Sequence, residues 1–119
     1  MKIEDLKDCP EWLMLAKTQN ADVTMCDGIV EWCSGLWLDG LWHGGEWRGG
    51  LWYGGEWHGG EWHGGVWCNG MWLDGMWRGG VWYGGVWHDG VWHGGVWFNG
   101  MWRNGLWHGG VWHGKGPKP

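Results

Sequence analysis

Histidine and cysteine are the side chains of this chain whose types and spacing could do chemistry, since both ligate zinc and other transition metals. All the histidines occupy one position, directly after a Trp, and Cys68 occupies the same position. The seven histidines are His43, His58, His63, His88, His93, His108 and His113. A half-polar ring also suits the exposed side of a β surface, so a metal site and a purely structural role both remain open.

Catalytic constellations are missing from the pattern. Ser34 has no base and orienting group at a recognisable spacing, and carboxylates such as Glu46 and Asp74 stand at repeat positions where their neighbours vary. We therefore expect a protein without enzymatic activity and without a cofactor.

Composition and charge exclude further classes. The 119 residues suggest one small domain, and the net charge is −5. Arg48, Arg78 and Arg103 are isolated, so no basic stripe could hold a nucleic-acid backbone, and we expect no general nucleic-acid binding. The N-terminus lacks an apolar leader, and no apolar run reaches the length of a membrane span. We expect a cytoplasmic protein that does not enter a membrane.

The cysteines are expected to be free thiols, because they show no C-x-x-C spacing and no secretory context. They are Cys9, Cys26, Cys33 and Cys68.

A five-residue repeat dominates the chain, with 18 Trp and 28 Gly in all. From Glu31 onward the unit is x-Trp-z-t-Gly, and Trp recurs seventeen times from Trp32 to Trp112 without a slip. We predict a cap over residues 1–30 with a helix at about 10–19 and then a short β segment, a repeat domain over 31–114, and a tail over 115–119. A second similarity recurs after 30 residues, where Tyr53 matches Tyr83 and His58 matches His88.

Two all-β architectures could accommodate such a unit. Pairs such as Asn69-Gly70 and Asp74-Gly75 are typical of two-residue hairpin turns and favour a rolled antiparallel meander of three-residue strands. In a strand of that length the two outer residues direct their backbone groups to the same neighbour, whereas identical turns at both ends require opposite directions. A β-solenoid avoids this conflict because each unit pairs with the coils above and below, so we favour the solenoid.

The stretch "GMWLD" (residues 70–74) resembles the unit of the pentapeptide-repeat proteins, with a small residue at Gly70, a large apolar centre at Trp72 and Asp74 two residues later. The x-W-x-x-G pattern is also similar to that of uncharacterised tryptophan-rich repeat proteins of bacterial and phage type. The resemblance covers residues 31–114 and departs from the pentapeptide family in using Trp with Gly where the family usually centres Leu or Phe. It implies a quadrilateral β-solenoid of four units per coil, hence about four coils.

In such a solenoid the tryptophans point inward, with the preceding Gly making room for each indole. The predicted core consists of Trp37, Trp42, Trp47, Trp52, Trp57, Trp62, Trp67, Trp72, Trp77, Trp82, Trp87, Trp92, Trp97, Trp102 and Trp107. Seventeen indoles exposed in one row would otherwise form an apolar strip too large for a soluble monomer.

Function then falls to the outward x and z residues. The predicted interaction surface combines an apolar ladder with an acidic one: Val81, Val86, Val91, Val96, Glu46, Glu56 and Glu61. The coil of four units that the resemblance implies would also stack Cys68, His88 and His108 as metal ligands, and His93 on His113.

The sequence thus predicts a structural or protein-interaction module that binds an unknown protein partner or itself. One alternative is an aromatic carbohydrate-binding face on a meander. Another, by analogy with pentapeptide-repeat proteins that imitate duplex DNA, is an acidic inhibitor of a DNA-handling enzyme.

Overall fold

A computed structural model of the chain describes all 119 residues. A 3-10 turn at Ile3–Asp5 and helix α1 at Glu11–Leu15 precede two long strands, β1 at Lys17–Cys26 and β2 at Ile29–Asp39. Fifteen two-residue strands follow at intervals of five residues. They are β3 Leu41–Trp42, β4 Glu46–Trp47, β5 Leu51–Trp52, β6 Glu56–Trp57, β7 Glu61–Trp62, β8 Val66–Trp67, β9 Met71–Trp72, β10 Met76–Trp77, β11 Val81–Trp82, β12 Val86–Trp87, β13 Val91–Trp92, β14 Val96–Trp97, β15 Met101–Trp102, β16 Leu106–Trp107 and β17 Val111–Trp112. None of the helices has the length and apolar character that crossing a membrane requires.

The repeat strands form a parallel β-solenoid, which confirms the predicted fold class. Each strand pairs with the strand fifteen residues later, as in Trp32 with Trp47 and Trp47 with Trp62. The only antiparallel pair joins β1 to β2. The N–H after each Trp donates to the carbonyl of the Trp in the previous coil, for example from Arg48 to Trp32 at 2.8 Å. The backbone is therefore satisfied from coil to coil.

Fifteen residues per coil mean three units per coil, so the expectation of four units and a quadrilateral section was wrong. The solenoid is triangular, and its seventeen units make between five and six coils. The physical reason is the bulk of the indole. Three Trp rings in each coil already meet edge to face, with centroids 5.7–5.9 Å apart along most of the array, and leave no gap at the axis for a fourth.

Three faces result, and each carries every third unit. The charged face holds the units that begin at Glu31, Glu46, Glu61, Met76, Val91 and Leu106. The apolar face holds those that begin at Leu36, Leu51, Val66, Val81, Val96 and Val111. The mixed face holds those that begin at Leu41, Glu56, Met71, Val86 and Met101.

Inward-pointing tryptophans fill the axis, as the sequence predicts. Every repeat Trp from Trp32 to Trp97 is 0% exposed, and successive coils stack their indoles nearly parallel, as in Trp62 on Trp77 at 4.8 Å and 6°. Two of these indoles, Trp67 and Trp77, donate their N–H to carbonyl oxygens one coil further on at 3.1 Å. Each residue of the stack buries a large aromatic area, so this column is the main source of stability.

The glycine that ends each unit forms the corner of the coil. Gly75 has a φ of +124°, and a Cβ there would lie 2.5 Å from the carbonyl oxygen of Gly60 in the previous coil. Only glycine tolerates both conditions. The predicted role of Gly70 and Gly75, making room for the next Trp, is thus refined: the nearest atoms are those of the preceding coil's corner, with Trp57 Nε1 at 3.2 Å from the Gly75 position.

The N-terminal residues cap the first coil. Helix α1 ends at Leu15 and strand β1 begins at Lys17, so the helix is shorter than the predicted span of about 10–19. The strand prevails because residues 17–26 pair along β2, with Asp27 and Gly28 turning at φ values of +53° and +77°. Leu13 and Val23 are fully buried beneath this cap.

Candidate interaction surface

The apolar face is the candidate surface, because its x and z positions carry no charged residue in any coil. Its x positions hold Leu36, Leu51, Val66, Val81, Val96 and Val111, and its z positions hold Leu38, Tyr53, Cys68, Tyr83, Phe98 and His113. Tyr53, Tyr83 and Phe98 are 45%, 51% and 42% exposed. The only carboxylate, Asp39, lies at the corner of the first coil and accepts the Gly40 N–H at 2.9 Å.

The exposed rings of this face stack along the solenoid axis. Tyr83 lies 5.1 Å from Phe98 at 7°, and Phe98 lies 5.3 Å from His113 at 17°. These rings therefore turn faces toward one another and present their edges outward. Cys68 lies between Tyr53 and Tyr83 in the same column, and burial raises the pKa of its thiol.

The charged face carries a ladder of ion pairs in its first coils. Arg48 Nε lies 3.3 Å from Glu31, and Arg48 Nη2 lies 3.5 Å from Glu46. His63 Nε2 lies 3.4 Å from Glu46 and 3.6 Å from Glu61, and Arg78 lies 3.2 Å from Glu61. Carboxylates and cations thus alternate along this face and balance one another.

Glu46, Glu61 and His63 bring one potential ligand atom each within 4.8 Å of one another. Arg48 and Arg78 contact the two carboxylates from either side. We assign this cluster to the ion-pair ladder, since the guanidinium groups supply the positive charge that a metal ion would bring.

The predicted metal ligands do not come together. Cys68 lies on the apolar face, His88 on the mixed face and His108 on the charged face, because a coil of fifteen residues separates positions that a coil of twenty would stack. His108 stacks instead on His93 at 5.3 Å, and His43 stacks on His58 at 5.1 Å. The expected pairing of His93 with His113 was wrong for the same reason.

The predicted interaction residues are likewise divided among the faces. Val81 and Val96 are neighbours on the apolar face, whereas Val86 lies on the mixed face and Val91 on the charged face. The predicted acidic ladder divides in the same way, because Glu46 and Glu61 are paired on the charged face and Glu56 lies on the mixed face.

Sequence reasoning missed the aliphatic and aromatic members of the apolar face, above all Leu51, Tyr53, Tyr83 and Phe98. The similarity at 30 residues was the available signal, because 30 is a multiple of fifteen and places Tyr53 and Tyr83 on one face two coils apart.

Comparison with protein-family models, with curated protein sequences and with solved structures finds no significant match to the chain. The five-residue Trp repeat and the parallel solenoid are consistent with a pentapeptide-repeat-like architecture of three rather than four sides.

Proposed function

We propose that this chain is a non-enzymatic interaction module that binds a protein partner through its apolar face. The observation that carries the proposal is the uncharged column of aliphatic x residues beside stacked aromatic z residues, with Tyr53, Tyr83 and Phe98 about half exposed. Contiguous apolar patches on a soluble protein usually mark a contact site. Aromatic rings supply much of the binding energy at such sites.

The other two faces are less suited to this role. The carboxylates of the charged face are paired with Arg48, His63 and Arg78, which leaves no bare acidic stripe of the kind a DNA mimic needs. On the apolar face, Tyr83 and Phe98 cover each other's ring faces, and a sugar stacks on a ring face rather than on its edge. Both alternatives therefore have less support than a protein partner. Four free cysteines fit a reducing compartment, and we place the protein in the cytoplasm.

The experiment compares affinity capture from the source cell by the wild-type chain and by variants of single faces. Tyr83→Lys adds a charge at the centre of the apolar face, and we expect it to lose the specific partner. His88→Lys is the matched control, because it changes the same z position of the next unit, on the mixed face. A partner retained by Tyr83→Lys and lost by His88→Lys would contradict the proposal. Circular dichroism of both variants verifies that the solenoid is folded.

A further inference from the structure

The C-terminal end of the solenoid is an uncovered cross-section of its core. The fourteen tryptophans from Trp32 to Trp97 are fully buried, whereas Trp102, Trp107 and Trp112 of the last coil are only partly so. The x residues beside them, Met101, Leu106 and Val111, are 52%, 59% and 48% exposed. This end therefore presents three indoles and three aliphatic side chains together.

The same end also presents unpaired backbone. Strands β15, β16 and β17 each have a neighbour on one side only. In the preceding coil the Trp97 carbonyl accepts an N–H from His113 at 2.8 Å, and residues 115–119 form no strand that could do the same for Trp102, Trp107 or Trp112. In a β-strand the N–H and C=O of one residue point to the same side, so all three tryptophans direct both groups out of the end.

The opposite end is closed. Strand β1 covers β2, and Met1 in turn bonds to Val23 of β1, with N–H to carbonyl distances of 2.8 and 2.9 Å. Leu13 is fully buried beneath the cap. A second copy therefore cannot continue the stack with its own first coil.

We propose that the C-terminal end binds the C-terminal end of a second copy about a two-fold axis. Turning one solenoid over reverses its strand direction, so the edge strands meet antiparallel. Opposing tryptophans can then exchange both backbone hydrogen bonds, as residues in a hydrogen-bonded antiparallel pair do. One edge strand pairs with its own copy, and the other two pair with each other. The indoles continue the stacking seen within the chain at 4.7–5.2 Å.

Shape and symmetry favour a second copy over other occupants. The three edge strands have two residues each and lie on the three sides of a triangle, so a single extended peptide could pair with only one of them at a time. Another coil end matches all three at once. Because the contact uses the same surface on both chains, it closes at two copies and does not propagate.

The charge of this end gives the assembly a diagnostic salt dependence. Residues 101–119 contain Arg103, Lys115 and Lys118 and no Asp or Glu. Two such ends repel, so salt strengthens their association by screening. An acidic protein or nucleic acid bound at this end would show the opposite dependence.

Sedimentation of the 119-residue chain over a range of concentrations tests the proposal. We expect a monomer–dimer equilibrium whose dimer fraction rises with salt. Leu106→Lys and Val111→Lys, tested separately, add like charge at the contact and should raise the dissociation constant at least about tenfold, equivalent to about 1.4 kcal/mol. The matched controls are Val91→Lys and Val96→Lys, which change the same faces one coil earlier and should leave the constant unchanged. Glu61, one coil group further toward the N-terminus at the same x position, indicates that a charged side chain is tolerated there.

Several outcomes would overturn the proposal. These are a monomer at every concentration, a mass that grows beyond the dimer, a dimer fraction that falls with salt, or equal weakening by the control variants. Hydrogen exchange supplies an independent measurement. The amides of Trp102, Trp107 and Trp112 should become protected as the sample is concentrated in wild type and should stay open in Leu106→Lys.

Discussion

The two ends of the solenoid close the same Trp stack in different ways. At the N-terminal end Trp12 meets Trp42 edge to face at 5.1 Å, and Leu13 and Val23 are fully buried against the first coil. At the C-terminal end the repeat stops and its last indoles are partly exposed. The comparison shows that the repeat makes a core along its length and that covering an end requires residues outside the repeat, as in other solenoid proteins.

The largest expected difference between interior and end concerns the tryptophans. Trp72 is stacked on both sides, on Trp57 at 4.7 Å and on Trp87 at 4.9 Å, whereas Trp112 stacks only on Trp97 at 5.2 Å. Trp72→Ala leaves a closed cavity and should lower the free energy of unfolding by about 3–5 kcal/mol. Trp112→Ala should cost about 1–2 kcal/mol, because its side chain is only partly removed from water. Urea denaturation of dilute samples measures both, and equal losses would mean that the C-terminal end is covered.

A smaller difference is expected between aliphatic residues at the two ends. Leu13 is fully buried under the cap, and Leu106 is 59% exposed in the last coil. Leu13→Ala should destabilise the protein by about 2–5 kcal/mol through the cavity it leaves. Leu106→Ala should cost no more than about 0.5 kcal/mol, as is usual at the surface. Thermal unfolding of dilute samples gives the comparison, and a harmless Leu13→Ala would show that the cap does not hold the first coil.

Amide hydrogen exchange should distinguish the ends without any substitution. The Trp72 backbone groups face another coil, whereas those of Trp102, Trp107 and Trp112 face outward. In a dilute sample the three end amides should exchange within the time of the first measurement, while Trp72 exchanges only with opening of the solenoid. Slow exchange at all three ends would contradict the open edge.

The smallest expected effect concerns the thiols of the cap and the solenoid. Cys26 is exposed at the cap, whereas burial raises the pKa of Cys9 in the cap and of Cys68 on the apolar face. The thiolate is the reactive form, so a raised pKa leaves less of it near pH 8. Iodoacetamide should modify Cys26 first, and the rate at Cys9 and Cys68 should still be rising above pH 9. Peptide mass mapping follows each site, and faster modification of Cys68 than of Cys26 would contradict the expectation.

The fold class could be predicted because the backbone argument is local. A unit with Trp second and Gly fifth cannot repeat as an antiparallel meander with identical turns, and parallel stacking remains. The same dipeptide nevertheless has two structures here. Asp27-Gly28 forms a hairpin with both φ values positive, whereas at Asp74-Gly75 only the glycine is positive and the pair forms a coil corner. Long flanking strands, present only at residues 17–39, account for the difference.

The number of units per coil could not be derived from one unit, because a five-residue repeat is compatible with any number of sides. The error arose from carrying over four sides from proteins that centre smaller residues than Trp72. It moved Cys68, His88 and His108 into one column and left the apolar face unrecognised. Volume was the missing consideration, since three indoles fill a cross-section that smaller residues would leave open.

Three-sidedness limits how such a chain can change its length. Insertion or loss of one five-residue unit would leave every Trp and corner glycine in a suitable place, so the core would survive. Yet it would turn all later units by one third of a revolution and move Tyr83 and Phe98 off the face that holds Tyr53. Only changes by whole coils of fifteen residues preserve the surface. The recurrence after 30 residues, two full coils, is the mark that such a history would leave.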